Sequence, residues 1–270
     1  MERYIEDLFV DDGGGSQAAG PAAPPVVFLH SAAGNTSHFA AQLDHLRPGR
    51  RALALDFRGH GRSQPPRDGD YSIVALAADL ARVADALALD RFVLAGHSMG
   101  GAAAVAYAGA HGDRLAGLLL LDPASDGRAL PAEMRAGIIG ALRSPAYLKT
   151  VEDYWAPMLE PSSPAVRARL ATDLRGTRRE ALIETLVSLF EFDPVTPLRG
   201  YAGPAQALIT RFNHTPASYQ ALVPALPHRT IDGVGHWLHL DAPEVVNQEI
   251  DRFLAGLQAA QLPGWSATKH

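Results

Sequence analysis

The 270-residue chain has no cysteine, which excludes disulfides, thiolate nucleophiles and thiolate metal sites. Lysine is nearly absent too, two residues against 22 arginines. The arginines form no cluster of the kind that would hold a phosphate or CoA, and no basic stripe exists to meet a nucleic acid. The net charge of −5 and pI of about 6.1 agree with that. No run of 18 apolar residues occurs, so no membrane span is expected. The acidic start MERYIEDLFVDD lacks the basic and apolar regions of a secretory signal, and a cytoplasmic location is the expectation. Hydrophobic residues make up 47% of the chain and charged residues 20%. That balance excludes disorder, and the length suits one large α/β domain or two small ones.

Residues 1–12 read as an edge strand or hairpin arm, and the Gly/Ala/Pro stretch 13–25 as a loop. Short apolar runs follow at 26–30, 51–56, 91–96 and 115–122, each ending in small or polar residues. Runs of this length read as strands buried on both faces. Between them, 71–89 places Leu76, Leu80, Val83 and Leu87 at helical spacing, and 99–111 is an Ala/Gly-rich helix suited to close contact with a sheet. This alternation predicts a mostly parallel sheet with right-handed crossovers. The rhythm breaks between Pro123 and Leu198, where helices are predicted near 131–142, 146–158, 164–174 and 178–190. Strand-like runs return at 205–210 and 228–232, and a helix over 243–258 closes the pattern. The tail LPGWSATKH reads as loose.

The chemistry centres on Gly96-His97-Ser98-Met99-Gly100-Gly101. With 13 serines and 25 glycines, a G-x-S-x-G arises by chance about 0.1 times in such a chain. Its position, between an apolar run and an Ala-rich helix, is what singles it out. Flanking glycines permit a sharp strand-to-helix turn that lifts the hydroxyl clear and aims a helix N-terminus at its target. A serine needs a base. Among 11 histidines, His236 lies in Gly233-Val234-Gly235-His236-Trp237, after the last strand and on the same sheet edge as Ser98. His239 is the rival. Neither HExxH nor a comparable metal-binding spacing is present, so no metal and no cofactor is expected.

The pieces VVFLH-SAAG, LDFRGHGRS, GHSMGG and GVGHWLHLDAPE, each beside its strand, resemble those of the α/β-hydrolase fold family from Val26 to Leu257. The resemblance implies a core over 1–122 and 199–270 with a helical cap inserted at 123–198. It implies Ser98 as nucleophile, His236 as base, and an oxyanion hole from the backbone amides of Met99 and Ala32. None of these groups lies within the cap. In DFRGHGRS, Gly59 and Gly61 are expected to allow a tight loop, Arg58 and Arg62 to make hydrogen bonds, and His60 to be structural.

Two departures from the family pattern stand out. Ser31 replaces the glycine that commonly precedes the oxyanion amide; either the loop keeps ordinary backbone angles there or the hole is shaped differently, and the Ser31 hydroxyl is either merely tolerated or touches the substrate or a third oxyanion-donor position. Where the family often carries G-x-x-D after the strand 205–210, this chain has Thr210-Arg211-Phe212-Asn213. Asp122, ending the strand 115–122, is the expected acid, as in a family variant; Asp193 and Asp232 are rivals. Ser31, Trp155 and Trp237 are the candidate substrate contacts. The leading expectation is an esterase acting on small to medium hydrophobic esters, lactones or thioesters. The alternatives are C–C hydrolysis, perhydrolysis, lyase or cofactor-free oxygenase chemistry on the same triad, and a non-catalytic binding module.

Overall fold

The computed structural model describes residues 1–15 and 23–259. The predicted loop 13–25 lies partly, and the tail 262–270 wholly, outside the described residues. Eight strands form one sheet: β1 (Glu2–Ile5), β2 (Leu8–Gly13), β3 (Val26–Leu29), β4 (Ala52–Leu55), β5 (Phe92–His97), β6 (Leu115–Leu121), β7 (Ala205–Ile209) and β8 (His228–Thr230). Their order is β1-β2-β4-β3-β5-β6-β7-β8. The six from β4 to β8 in that order are parallel, and β2 and β1 add antiparallel as the expected hairpin arm.

The long helices match the predicted stretches: α2 (Ile73–Ala86), α3 (Met99–His111), α4 (Ala132–Arg143), α5 (Tyr147–Leu159), α6 (Pro164–Gly176), α7 (Arg179–Leu189) and α11 (Pro243–Ala259). Short helices that the apolar pattern did not signal are α1 (Ala40–Leu46), α8 (Val195–Gly200), α9 (Tyr219–Leu222) and α10 (Leu238–Asp241). Seven residues or fewer offer too few turns for a periodicity to register.

Alternate residues of each core strand face opposite layers. Val27, Leu29, Leu53, Leu55 and Leu94 pack with α2, α3 and the helices between β6 and β7, whereas Val26, Phe28, Ala52, Ala54 and Val93 pack with α1 and α11. Both faces are buried, as parallel strands require. The segment between β6 and β7 holds α4 to α8 and no strand. Its last helix, α8, packs on α3, where a Cβ at Gly109 would overlap Pro197.

Candidate active site

Strand order places the functional loops together. From β3 the chain moves to β4 on one side and then crosses to β5 on the other, so the loops after β3 and β5 leave adjacent parallel strands in divergent directions. A crevice opens at such a switch point, outside the strands' carboxyl ends. Leu29 pairs with Gly96, so Ala32 and Met99 each lie three residues beyond a paired position. His97 pairs with Leu121, and Leu121 with Leu208; Ser98, Asp122 and the loop from Thr210 therefore emerge side by side.

Ser98 alone separates β5 from α3, with φ 52° and ψ −115°. Such angles are costly for a residue with a side chain and persist only where the surroundings impose them. A Cβ at Gly96 would overlap the Gly100 carbonyl oxygen, and one at Gly100 would overlap the Leu29 carbonyl oxygen. The Ser98 N–H donates to Leu121 O (3.1 Å), and Ala124 N–H donates to Ser98 O (3.2 Å), tying the turn to the end of β6. Met99 opens α3, where no intrahelical acceptor reaches its N–H. Among the described residues, neither the Met99 nor the Ala32 amide donates to a protein acceptor. Ala32 lies in a turn closed by Gly34 N–H to Ser31 O at 2.9 Å. The left-handed angle in that loop falls on Ala33 (φ 55°) and not on Ser31, so the added side chain at 31 meets no backbone strain.

Asp122 is fully buried and itself has φ 40°. Its carboxylate accepts from Thr210 N–H (2.7 Å), Thr210 Oγ1 (2.9 Å), Asn213 Nδ2 (3.0 Å) and His236 Nδ1 (2.5 Å). A buried carboxylate so surrounded is satisfied as an anion. The Asn213 amide also donates to Pro123 O at 2.8 Å. At the position where the family often carries its acid, this chain places Asn213, a donor to Asp122 at the end of the neighbouring strand. With Nδ1 of His236 turned to Asp122, its Nε2 has no protein partner among the described residues. Asp193 instead caps α8 and pairs with Arg128 (2.7 Å), while Asp232 is exposed.

No sequence pattern marks His97, beside the serine, as a functional residue. Its Nε2–H donates to the His236 carbonyl (2.9 Å), and the two rings lie 4.7 Å apart. Burial holds the His97 imidazole well below the usual histidine range, so it is neutral. His239 is also buried and neutral; it stacks on Phe39 (4.7 Å) and makes no contact with a carboxylate through either ring nitrogen. In the second core turn Gly59 and Gly61 both have positive φ. Arg58 binds Asp79 and Arg62 binds Glu2, and His60 is buried with Nδ1 on Arg58 O (3.1 Å).

Trp155 of α5 meets Trp237 edge to face at 4.7 Å, and Trp237 Nε1–H donates to Ser31 Oγ at 3.3 Å. The three candidate substrate contacts thus form one line from the helical segment to the loop after β3. That segment reaches the histidine directly as well: Met158 O accepts the His236 N–H at 3.2 Å. Among the described residues, no three His, Asp or Glu side chains converge to hold a metal ion, and no helix is long and apolar enough to cross a membrane.

A parallel sheet with a strained serine at a strand-to-helix turn, and a histidine–aspartate pair on the same edge, defines an α/β-hydrolase. The model of the alpha/beta hydrolase fold family matches residues 24–243; the chain belongs to that family and is an enzyme of the hydrolase class. It is 28% identical to the dihydrolipoyllysine-residue acetyltransferase component of the acetoin cleaving system of Pseudomonas putida, over 91% of this chain and 73% of that one. It is 28% identical to the sn-1-specific diacylglycerol lipase ABHD11 of Mus musculus, over 86% and 81%. Among solved structures, a thermophilic esterase from Thermogutta terrifontis superposes with a TM-score of 0.76 at 25% identity, covering 93% of both chains.

Proposed function

We propose that the protein is a serine hydrolase that cleaves small to medium hydrophobic carboxylic esters, or the related lactones and thioesters, through an acyl-enzyme. The observation that carries this reading is the 2.5 Å contact of His236 Nδ1 with buried Asp122, on the sheet edge where Ser98 occupies its strained turn. Likeness to a lipase and an esterase supports ester chemistry over other reactions of the fold.

In this reading His236 Nε2 takes the Ser98 proton as Oγ bonds to the substrate carbonyl carbon. The Ala32 and Met99 amides receive the developing oxyanion, each such donor contributing about 10²–10³ in rate. Asp122 stabilises the imidazolium, which returns its proton to the leaving oxygen as the C–O bond breaks and the alcohol departs. Water then attacks the acyl-enzyme, His236 takes its proton, and the acid leaves with Ser98 reprotonated. The helices over 123–198 act as a cap, with Trp155, Trp237 and Ser31 as the substrate contacts; the Trp155–Trp237 pair is the apolar feature suited to an acyl or aromatic group.

A fluorophosphonate probe is expected to form one adduct on Ser98 and stop turnover of a short nitrophenyl ester. Ser98→Ala should lose both labelling and turnover while its Tm stays within a degree or two of wild type. Full activity in Ser98→Ala would overturn the proposal.

A further inference from the structure

The last four carbonyls of a helix have no intrahelical donor. Met158 is one residue from the end of α5, and its carbonyl finds its donor in His236 N–H, on another part of the chain. Four residues later, buried Ser162 donates its hydroxyl to Asp241 Oδ2 at 2.9 Å. The same oxygen accepts Gly235 N–H, also at 2.9 Å. One carboxylate oxygen therefore joins the helical segment to the residue just before the histidine. Gly235 has no positive φ to require glycine. What forbids a side chain there is space: a Cβ would lie 2.5 Å from Met158 O and 2.6 Å from Ser162 Oγ. Together with His97 on the His236 carbonyl, both peptide groups of the histidine are held, one by the core and one by the inserted helices.

From this clasp we infer that Met158–Ser162 and Asp241 are positioning elements for the catalytic base, so that seating of the cap sets the reactivity of Ser98 as well as closing over substrate. The inference rests on His236 being the base, as proposed above. A merely steric cap would leave a probe that is smaller than the substrate unaffected. A clasp that aims the imidazole would not, because a misplacement of about 1 Å costs up to roughly 10²-fold in rate.

The test uses the full chain with Ser162→Ala, Ser162→Thr and Gly235→Ala. Two quantities are read: the second-order rate of Ser98 labelling by a small fluorophosphonate, and kcat and KM for a short nitrophenyl ester. Ser162→Ala and Gly235→Ala are expected to lower the labelling rate and kcat by about ten- to a hundredfold with KM nearly unchanged. Ser162→Thr, which keeps the hydroxyl, should restore most of the rate. Wild-type labelling and kcat in folded Ser162→Ala and Gly235→Ala, with any change confined to KM, would overturn the clasp while leaving the serine hydrolase intact. Failure of the wild-type protein itself to label at Ser98 would overturn both.

Discussion

At the scale of single residues, Asp122, the proposed acid, is the position with the most at stake. Asp122 collects four donors inside the protein. Replacing it by Asn leaves the shape but removes the charge opposite the imidazolium and favours the wrong tautomer. On the proposed mechanism, kcat for Asp122→Asn falls by about 10³–10⁴, whereas Asp193→Asn and Asp232→Asn each lose less than roughly tenfold. Steady-state kinetics at a pH where the base is neutral decides between them; a collapse in Asp193→Asn with Asp122→Asn near wild type would reverse the assignment. The double change Asp122→Asn with Asn213→Asp should recover little. Asn213 touches Asp122 Oδ1 and Pro123 O, not the imidazole, so a charge moved to 213 arrives one side chain too far away.

At the scale of elements, the turn between β5 and α3 depends on bare backbone. A methyl at Gly100 would overlap the Leu29 and His30 carbonyl oxygens, main-chain atoms that cannot swing aside. At Gly256, on the exposed face of α11, nothing lies within 4 Å of an added Cβ. The two substitutions should therefore have opposite signs. Gly100→Ala is expected to destabilise by about 1–3 kcal/mol or more through overpacking. Gly256→Ala is expected to stabilise by about 0.5–1 kcal/mol, because glycine in a helix interior gives up more backbone freedom on folding. Urea midpoints at equal slope measure both, and loss of stability in Gly256→Ala would show that α11 is not helical there in solution.

For the molecule as a whole, buried histidines set the acid side of stability. Burial lowers the pKa of His30, His60, His97 and His239 below the ordinary 6.5, His60 to about 4. A group whose pKa is depressed by folding binds fewer protons folded than unfolded. As pH drops below 6.5 the unfolded chain gains protons that the native state refuses, and each such group removes up to about 1.4 kcal/mol per pH unit. For His60 that loss continues down to about pH 4. Asp56 and Asp241, whose carboxyls burial raises, act in the opposite sense, two groups against four. Unfolding free energy is thus expected to fall between pH 6.5 and 5, and His60→Gln to flatten that fall; a pH-independent urea midpoint over this interval would contradict it.

Strands, long helices and the reactive turn were legible in the residues because they rest on local rules. Apolar runs bounded by glycine pair as buried strands, a 3.6-residue period marks a helix, and glycines around Ser98 permit one kind of turn. The residues alone dictate that β strands alternate with helices, that a helical stretch interrupts them after Asp122, and that Ser98, His236 and Asp122 follow strand ends. They also leave rivals, His239 against His236 and three aspartates for one acid, because spacing along the chain does not measure distance in space. Only the tertiary structure put His236 Nδ1 on Asp122 and His239 against Phe39. The same folding turned Asn213 toward the aspartate and brought Met158 and Ser162 onto the histidine loop. Those contacts join residues 78 to 200 positions apart, and which segments meet is set by strand order and register rather than by any local preference of the chain.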